Sequence, residues 1–297
     1  MSKPSFPSDT LPILVAHDLG PGGRRAANLG AAVARALSAP LRLVHAMDAA
    51  VDADFGAIPA GITPAVDVLR ARIEQRIANE RAALGAEVAR LRSAGLAHVD
   101  FEHIEGRAWE AVVAVAAREQ AQLVVVAAHA GEPSGHEPQS GVARLLGSTA
   151  ERIVRHAGVT VAIAADEPVP AGFFAGAAWI VGVDLGPTSA PALDTAARLA
   201  ARAGGRILGV HATSAEHTTD AALLAELRRH VGAAPIEPIL TAGPAAEAFV
   251  RVAAAEGAGA LVLGVNEHRG LLARALGRDA LGPTFRLTRV PVFCVPA

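Results

Sequence analysis

Ala16-His17-Asp18-Leu19-Gly20-Pro21 returns later in the chain as Gly182-Val183-Asp184-Leu185-Gly186-Pro187, an offset of 166 residues (184 − 18). The same offset carries Val44 onto Val210 and His45 onto His211 with no gap. In each copy a short apolar run, Ile13 to Val15 or Ile180 to Val183, meets an aspartate, then a Gly-Pro turn, then an alanine-rich stretch of helical period. That order predicts a buried strand feeding a tight loop and a helix. A repeat of this length decides the domain plan: two copies of one unit, each opening with strand, aspartate, loop and helix. The copies are expected at 1–166 and 177–297, joined by a linker at about 165–178.

Between these openings, short apolar runs alternate with helical patterns. In the first copy the strands are expected at Ile13–Ala16, Leu41–Ala46, Val99–Ile104, Leu123–Ala128 and Val159–Ala164. Helices are expected at Arg24–Leu37, from Thr63-Pro64 to a stop at Gly95, at Ala108–Arg118, and from Gly147-Ser148-Thr149 onward. Ser148 and Glu151 have the spacing of a capping box. In the second copy the strands are expected at Trp179–Val183, Ile207–Ala212, Ile236–Thr241, Ala260–Val265 and Val290–Val295. Near-continuous apolar strands alternating with helices imply parallel strands buried on both faces and right-handed crossovers. The fold class is therefore α/β, with two tandem doubly wound five-stranded parallel sheets. A ligand in such a sheet sits outside the carboxyl ends of the strands, which is where Asp18 and Asp184 fall.

Composition limits the function classes. Of 297 residues, 52% are hydrophobic and 19% charged, so each copy can bury a core. The net charge of −2 and the lack of a basic run give no signal for nucleic acid. The apolar runs are too short to span a membrane. Met1–Leu11 has no signal-peptide pattern, and the lone cysteine, Cys294, lies in an apolar run. These features suit a reducing cytoplasm.

With Leu43-Val44-His45-Ala46 as the second strand and Ala143–Ala157 (ARLLGSTAERIVRHA) as the last helix of the first copy, the chain resembles a tandem universal stress protein of the UspA-like type. The resemblance covers nearly the whole chain. It implies the adenine-nucleotide alpha-hydrolase-like fold, with strand order 3-2-1-4-5 in each copy. Many members of that family bind ATP; others bind no nucleotide and act as regulatory dimers. The family's phosphate motif is a glycine, two residues, a glycine, nine residues, then glycine and Ser or Thr. Glycines let backbone N–H groups approach phosphate, and the hydroxyl and helix start complete the cradle. Here both copies depart from it. In the first, Ala127 and Ala130 replace the leading glycines, and 16 residues (131–146) precede Gly147-Ser148. In the second, Gly264 and the spacing to Gly277 remain, but Glu267 replaces the second glycine and Arg278 the hydroxyl residue.

The resemblance implies a nucleotide site in which Asp18 holds the adenosine, backbone at Ala46 meets adenine, Ala127 lines the cleft, and Gly147, Ser148 and Thr149 meet phosphates. The second cleft would use Asp184, Ala212, Gly264, Gly277 and Arg278 in the same way. ATP or another adenine nucleotide, with Mg²⁺, is the implied cofactor. Each feature also has a purely structural reading: the aspartates as Asx-turn residues, and Ser148 with Glu151 as an ordinary cap. His17, His45 and His129 could converge on one edge of the first copy as a zinc site. However, His17 and Asp18 face opposite sides of a strand, so no metal site is expected. No nucleophile elbow or acidic metal site points to an enzyme.

The function implied is a cytoplasmic stress-response protein regulated by an adenine nucleotide and acting through a protein partner. A nucleotide-free scaffold of the same fold is the alternative. The apolar terminal strands Val159–Ala164 and Val290–Val295 are expected to cover each other antiparallel in an intramolecular pseudo-dimer. A homodimer of the whole chain is the further possible assembly. The polar loop Gly131–Pro138 is expected to be mobile over the first cleft.

Overall fold

The computed structural model describes residues 11–47, 63–128, 147–167, 169–170, 172–232, 235–265, 283–284 and 287–297. The chain alternates strand and helix as its apolar pattern requires. The first half runs β1 (Ile13–Ala16), α1 (Pro21–Leu37), β2 (Leu41–Met47), α2 (Thr63–Ser93), β3 (Val99–Glu105), α3 (Ala108–Arg118), β4 (Leu123–Ala127), α4 (Ser148–His156) and β5 (Thr160–Ala164). The second half runs β6 (Ala178–Gly182), α5 (Ser189–Ala203), β7 (Arg206–Thr213), α6 (Ala221–Val231), β8 (Ile236–Ala242), α7 (Ala245–Ala255), β9 (Ala258–Val265) and β10 (Val292–Pro296).

The strand order is β3-β2-β1-β4-β5-β10-β9-β6-β7-β8. Each half is a five-stranded parallel sheet of order 3-2-1-4-5, the second in mirror sequence along the array. Val292, Phe293 and Cys294 of β10 pair antiparallel with Ile163, Ala162 and Val161 of β5. The antiparallel pairing expected of the terminal strands is present, and it has a consequence for the expected pair of sheets. They are not separate: each terminal strand supplies the other's missing backbone partners, giving one continuous ten-stranded sheet without an open edge at the joint.

Two cores follow from the pleat, one on each face, and both cross the joint. One face packs α1, α2, α5 and α6 residues, such as Leu29, Leu84, Ala196 and Leu227, on Val15, Val125, Val181 and Val262. The other packs α3, α4 and α7 residues, including Val112, Ile153 and Phe249, on Leu14, Val124, Ile180 and Leu261. The segment between β5 and β6 is itself packed. Phe174 is buried and stacks on Trp179, with ring centroids 5.0 Å apart.

Two helix starts follow local capping chemistry, and one expected cap is absent. Pro21 opens α1, where a missing N–H costs nothing. Asp220 caps α6 by accepting from the N–H groups of Ala222 and Leu223. The capping box expected of Ser148 and Glu151 does not form. Gly147 is the cap residue, Ser148 is the first helical residue, and the Glu151 carboxylate instead accepts from Arg155 at 2.6 Å. Glycine at 147 lets its own N–H close onto the end of β4, donating to the Ala128 carbonyl at 2.8 Å. That contact fixes the helix start one residue earlier than a serine cap would.

Candidate functional site

β1 lies between β2 and β4, so the loop after β1 sits at the carboxyl edge of the sheet among the ends of those strands. The loop is strained in the same way in both copies: Leu19 has φ 63° and Leu185 φ 59°. A branched side chain in the left-handed region costs free energy and must be held by its surroundings. In the first copy the hold is local. The Leu19 N–H donates to His17 Nδ1 at 3.0 Å. Asp18 Oδ1 accepts from the N–H groups of Gly20 at 2.9 Å and Gly23 at 2.6 Å. Gly23 stands in the first turn of α1, so the carboxylate satisfies a donor that has no helical partner and meets the positive end of the helix. A Cβ at position 23 would come within 2.7 Å of Asp18 Oδ1 and 2.8 Å of His17 Nδ1, so only glycine admits this approach.

The second copy solves the same loop with side chains. Thr188 and Ser189 stand where the first copy has Gly22 and Gly23. The Ser189 hydroxyl donates to Asp184 Oδ1 at 2.6 Å and the Thr188 hydroxyl to Oδ2 at 3.0 Å, while Gly186 N–H also donates to Oδ1. Both Asp184 oxygens are therefore engaged. In the first copy Asp18 Oδ2 receives no hydrogen bond among the described residues, and Asp18 is exposed.

His45 and His211 explain their own repetition. Nδ1–H of His45 donates to the His17 carbonyl at 2.7 Å, and Nδ1–H of His211 donates to the Val183 carbonyl at 2.7 Å. In each copy a strand-two histidine clamps the backbone just before the aspartate. The bond also fixes the tautomer, leaving Nε2 with its lone pair.

The remaining candidates of the first cleft fall on the same edge. Ala46 lies near the end of β2, beside Ile104 of β3, and Ala127 ends β4. Gly147 ties the start of α4 to Ala128, and Ser148 and Thr149 are exposed in the first turn of α4. In the second half, Ala212 lies beside Thr241, and Gly264 lies in β9. Gly264 has a steric reason of its own: a Cβ there would be 2.2 Å from the Thr188 carbonyl oxygen. Gly277, Arg278, Glu267, Ala130, His129 and the loop Gly131–Pro138 lie outside the described residues.

The first cleft is backed by buried ionisable groups on α2. Glu80 and Glu87 are buried on its inner face beside Leu84, Val88 and Leu91. Burial alone would raise both carboxyl pKa values. Hydrogen bonds from His103 and Arg76 to Glu80, and from Arg90 to Glu87, overcome it and hold both below the usual range. His17 is shifted the other way for an imidazole: burial lowers its pKa below 6.5, only partly opposed by Glu87 and Asp18.

These directions give a sign for the pH dependence. Below pH 6.5 the unfolded chain takes up a proton at His17 that the folded chain resists, so acid favours unfolding. Protonating Nδ1 would also remove the acceptor that holds Leu19. Glu80 and Glu87 stabilise the fold above the ordinary carboxylate range and lose that contribution as pH falls through their lowered values, so they act in the same direction at lower pH. Thermal melts between pH 7.5 and 5 are expected to show a shallower acid slope for His17→Val than for wild type. Valine is the residue at the matching position 183. Parallel slopes would show that His17 carries none of the effect.

Comparisons with known proteins fit this fold. The model of the universal stress protein family matches residues 10–165, more than half of the chain. A universal stress protein from Archaeoglobus fulgidus DSM 4304 superposes with a TM-score of 0.67 at 15% identity, covering 96% of each chain. A protein from Pseudomonas aeruginosa UCBPP-PA14, described as a candidate universal stress protein, superposes with a TM-score of 0.60 at 16% identity, covering 97% of this chain and 94% of its own. These likenesses extend the shared fold over both halves. No curated protein matches the chain. No helix among the described residues is long and apolar enough to cross a membrane. The chain belongs to the universal stress protein family.

Proposed function

We propose that the protein is a regulatory binder of an adenine nucleotide, ATP or AMP with Mg²⁺, and that the first cleft is the site. The observation that carries this reading is the inequality of the two aspartates. Asp18 keeps an oxygen available to a ribose hydroxyl, whereas Thr188 and Ser189 occupy both oxygens of Asp184. The exposed first turn of α4, with Ser148 and Thr149, supplies N–H groups and hydroxyls of the kind phosphates seek. Ala46 and Ala127 flank the loop on either side. The output of such a protein is a change in its contacts with a partner, in the cytoplasm, rather than turnover of the ligand.

The nucleotide-free scaffold is the second reading, and a specific feature favours it. Positions 127 and 130 are alanines, and 16 residues (131–146) separate them from Gly147. The same fold would then serve only to present surfaces to partners.

Titration calorimetry with ATP and with AMP separates the two. Asp18→Asn keeps one oxygen for Gly20 and Gly23 but loses the carboxylate charge, and Ser148→Ala removes one phosphate donor. Each is expected to weaken binding by about 1–3 kcal/mol, roughly fivefold to a hundredfold, while Asp184→Ala leaves it unchanged. If only Asp184→Ala abolishes binding, the site is the second cleft. If the wild type binds neither nucleotide, the scaffold reading stands.

A further inference from the structure

The clamp histidine of the first copy differs from its twin in what faces its other nitrogen. His45 Nε2 is buried and has no hydrogen-bond partner among the described residues. It lies 3.6 Å from Glu80 Oε2. Across the β2–β3 ladder, His45 stands directly opposite His103. His103 Nε2 is 2.7 Å from the same Glu80 oxygen. The two imidazoles and the carboxylate come from three elements, β2, β3 and α2, and their ligand atoms all lie within 4.8 Å of one another. The three side chains are 11%, 10% and 5% exposed for His45, Glu80 and His103.

We propose that His45, Glu80 and His103 form a binding site for one divalent transition-metal ion of the zinc class. Two imidazole nitrogens and one carboxylate oxygen are a common zinc donor set, with a fourth position left to water. A tetrahedral zinc ion with bonds of about 2.0–2.1 Å sets its ligands about 3.3 Å apart. The His45–Glu80 separation already has that scale. The His103–Glu80 contact is a hydrogen bond, and it opens by about 0.6 Å when the ion replaces the shared proton. The support around the donors is also that of a metal site. His45 donates its other ring N–H to a backbone carbonyl, which aims its lone pair inward, and Arg76 Nε holds Glu80 Oε1 at 2.7 Å. The Arg76 charge opposes a cation, but its side chain is 43% exposed and has room to turn outward.

The repeat supplies an internal control. His211 makes the same backbone clamp, but the residue opposite it is Leu240, not histidine. The clamp is thus the shared structural role, while Glu80 and His103 are additions of the first copy alone. Because His45 also holds the His17 carbonyl beside Asp18, a bound ion would stiffen the loop of the first cleft through that bond.

The test is calorimetric titration of tag-free, chelator-stripped protein with ZnCl₂, together with CoCl₂ titration followed by visible absorption. One ion per chain is expected, with a cobalt spectrum of low coordination number and intensity lost on adding zinc. Glu80→Gln and His103→Leu should each weaken zinc binding by about a hundredfold or more, and His211→Gln should leave it unchanged. His103→Leu reproduces the side chain that the second half carries at the matching position, so it guards against loss of folding, which circular dichroism would report. No uptake by the wild type overturns the proposal. Stoichiometric uptake that survives both Glu80→Gln and His103→Leu also overturns it, placing the ion elsewhere.

Discussion

Phe293→Ala is expected to lower the unfolding free energy by about 3–5 kcal/mol. The ring is fully buried in β10, the strand that joins the halves. It lies 5.4 Å from Trp179 and 6.2 Å from Phe174, centroid to centroid, and stands opposite Ala162 of β5. A chain with only 8 phenylalanines, 2 tryptophans and no tyrosine gathers Phe173, Phe174, Trp179 and Phe293 here. Several core residues at this seam are small: Ala162, Ala164 and Ala260. These alanines cannot reach into the void left by the ring, so a cavity cost adds to the lost transfer energy. The aromatic contacts with Trp179 and Phe174 are lost as well. Urea unfolding followed by circular dichroism and tryptophan fluorescence measures the change. A loss below about 1 kcal/mol would mean that the seam relaxes around the gap.

This joint also shows why some of the architecture could be read in the sequence and some could not. The 166-residue offset exposes the repeat because strand, aspartate and Gly-Pro turn are fixed by local chemistry that survives duplication. The bounds of β1 and α3 fall where the apolar runs place them, since a buried run ends where polar or turn residues begin. What escaped is what depends on distant partners. Phe173 and Phe174 look like linker in a stretch of glycine, alanine and proline, yet Phe174 packs against Trp179 and Phe293.

The site shows the same division. The Asp18 loop could be anticipated, but which oxygen is left free depends on Gly22-Gly23 against Thr188-Ser189, a difference that matters only once the loop is closed. Along α2 the apolar residues Leu84, Val88 and Leu91 form a buried stripe. Glu80 and Glu87 share that stripe at a seven-residue spacing, a visible signal that two carboxylates face inward. Grouping His45 with His17 and His129 follows nearness to the cleft. The ladder instead sets His45 beside His103, each the fifth residue of its strand, and that register was available from the strand assignments.

Arg42 is a charge almost wholly hidden in β2, and its removal is the other large effect expected. Arg42 is 5% exposed, and its guanidinium grips Asp100, its partner across the β2–β3 ladder, with two hydrogen bonds of 2.9 and 2.7 Å. It also lies 3.1 Å from Glu119, and Arg118 bridges Glu119 and Glu102 beside it. Arg42→Leu leaves Asp100 as a buried carboxylate without its cation. Breaking a buried pair from one side costs about 3–5 kcal/mol, because the remaining charge has lost both water and partner. The second half shows that the loss comes from the stranded charge and not from shape: Leu208 sits buried at the matching position of β7. Its ladder partner, Glu237, is exposed and needs no buried cation. Arg42→Leu combined with Asp100→Leu should therefore recover most of the stability, with coupling far from zero in a double-mutant cycle read by urea unfolding. Additive losses in that cycle would mean that Arg42 stabilises the fold mainly through Glu119 and Glu102, and that the ladder pair itself contributes little.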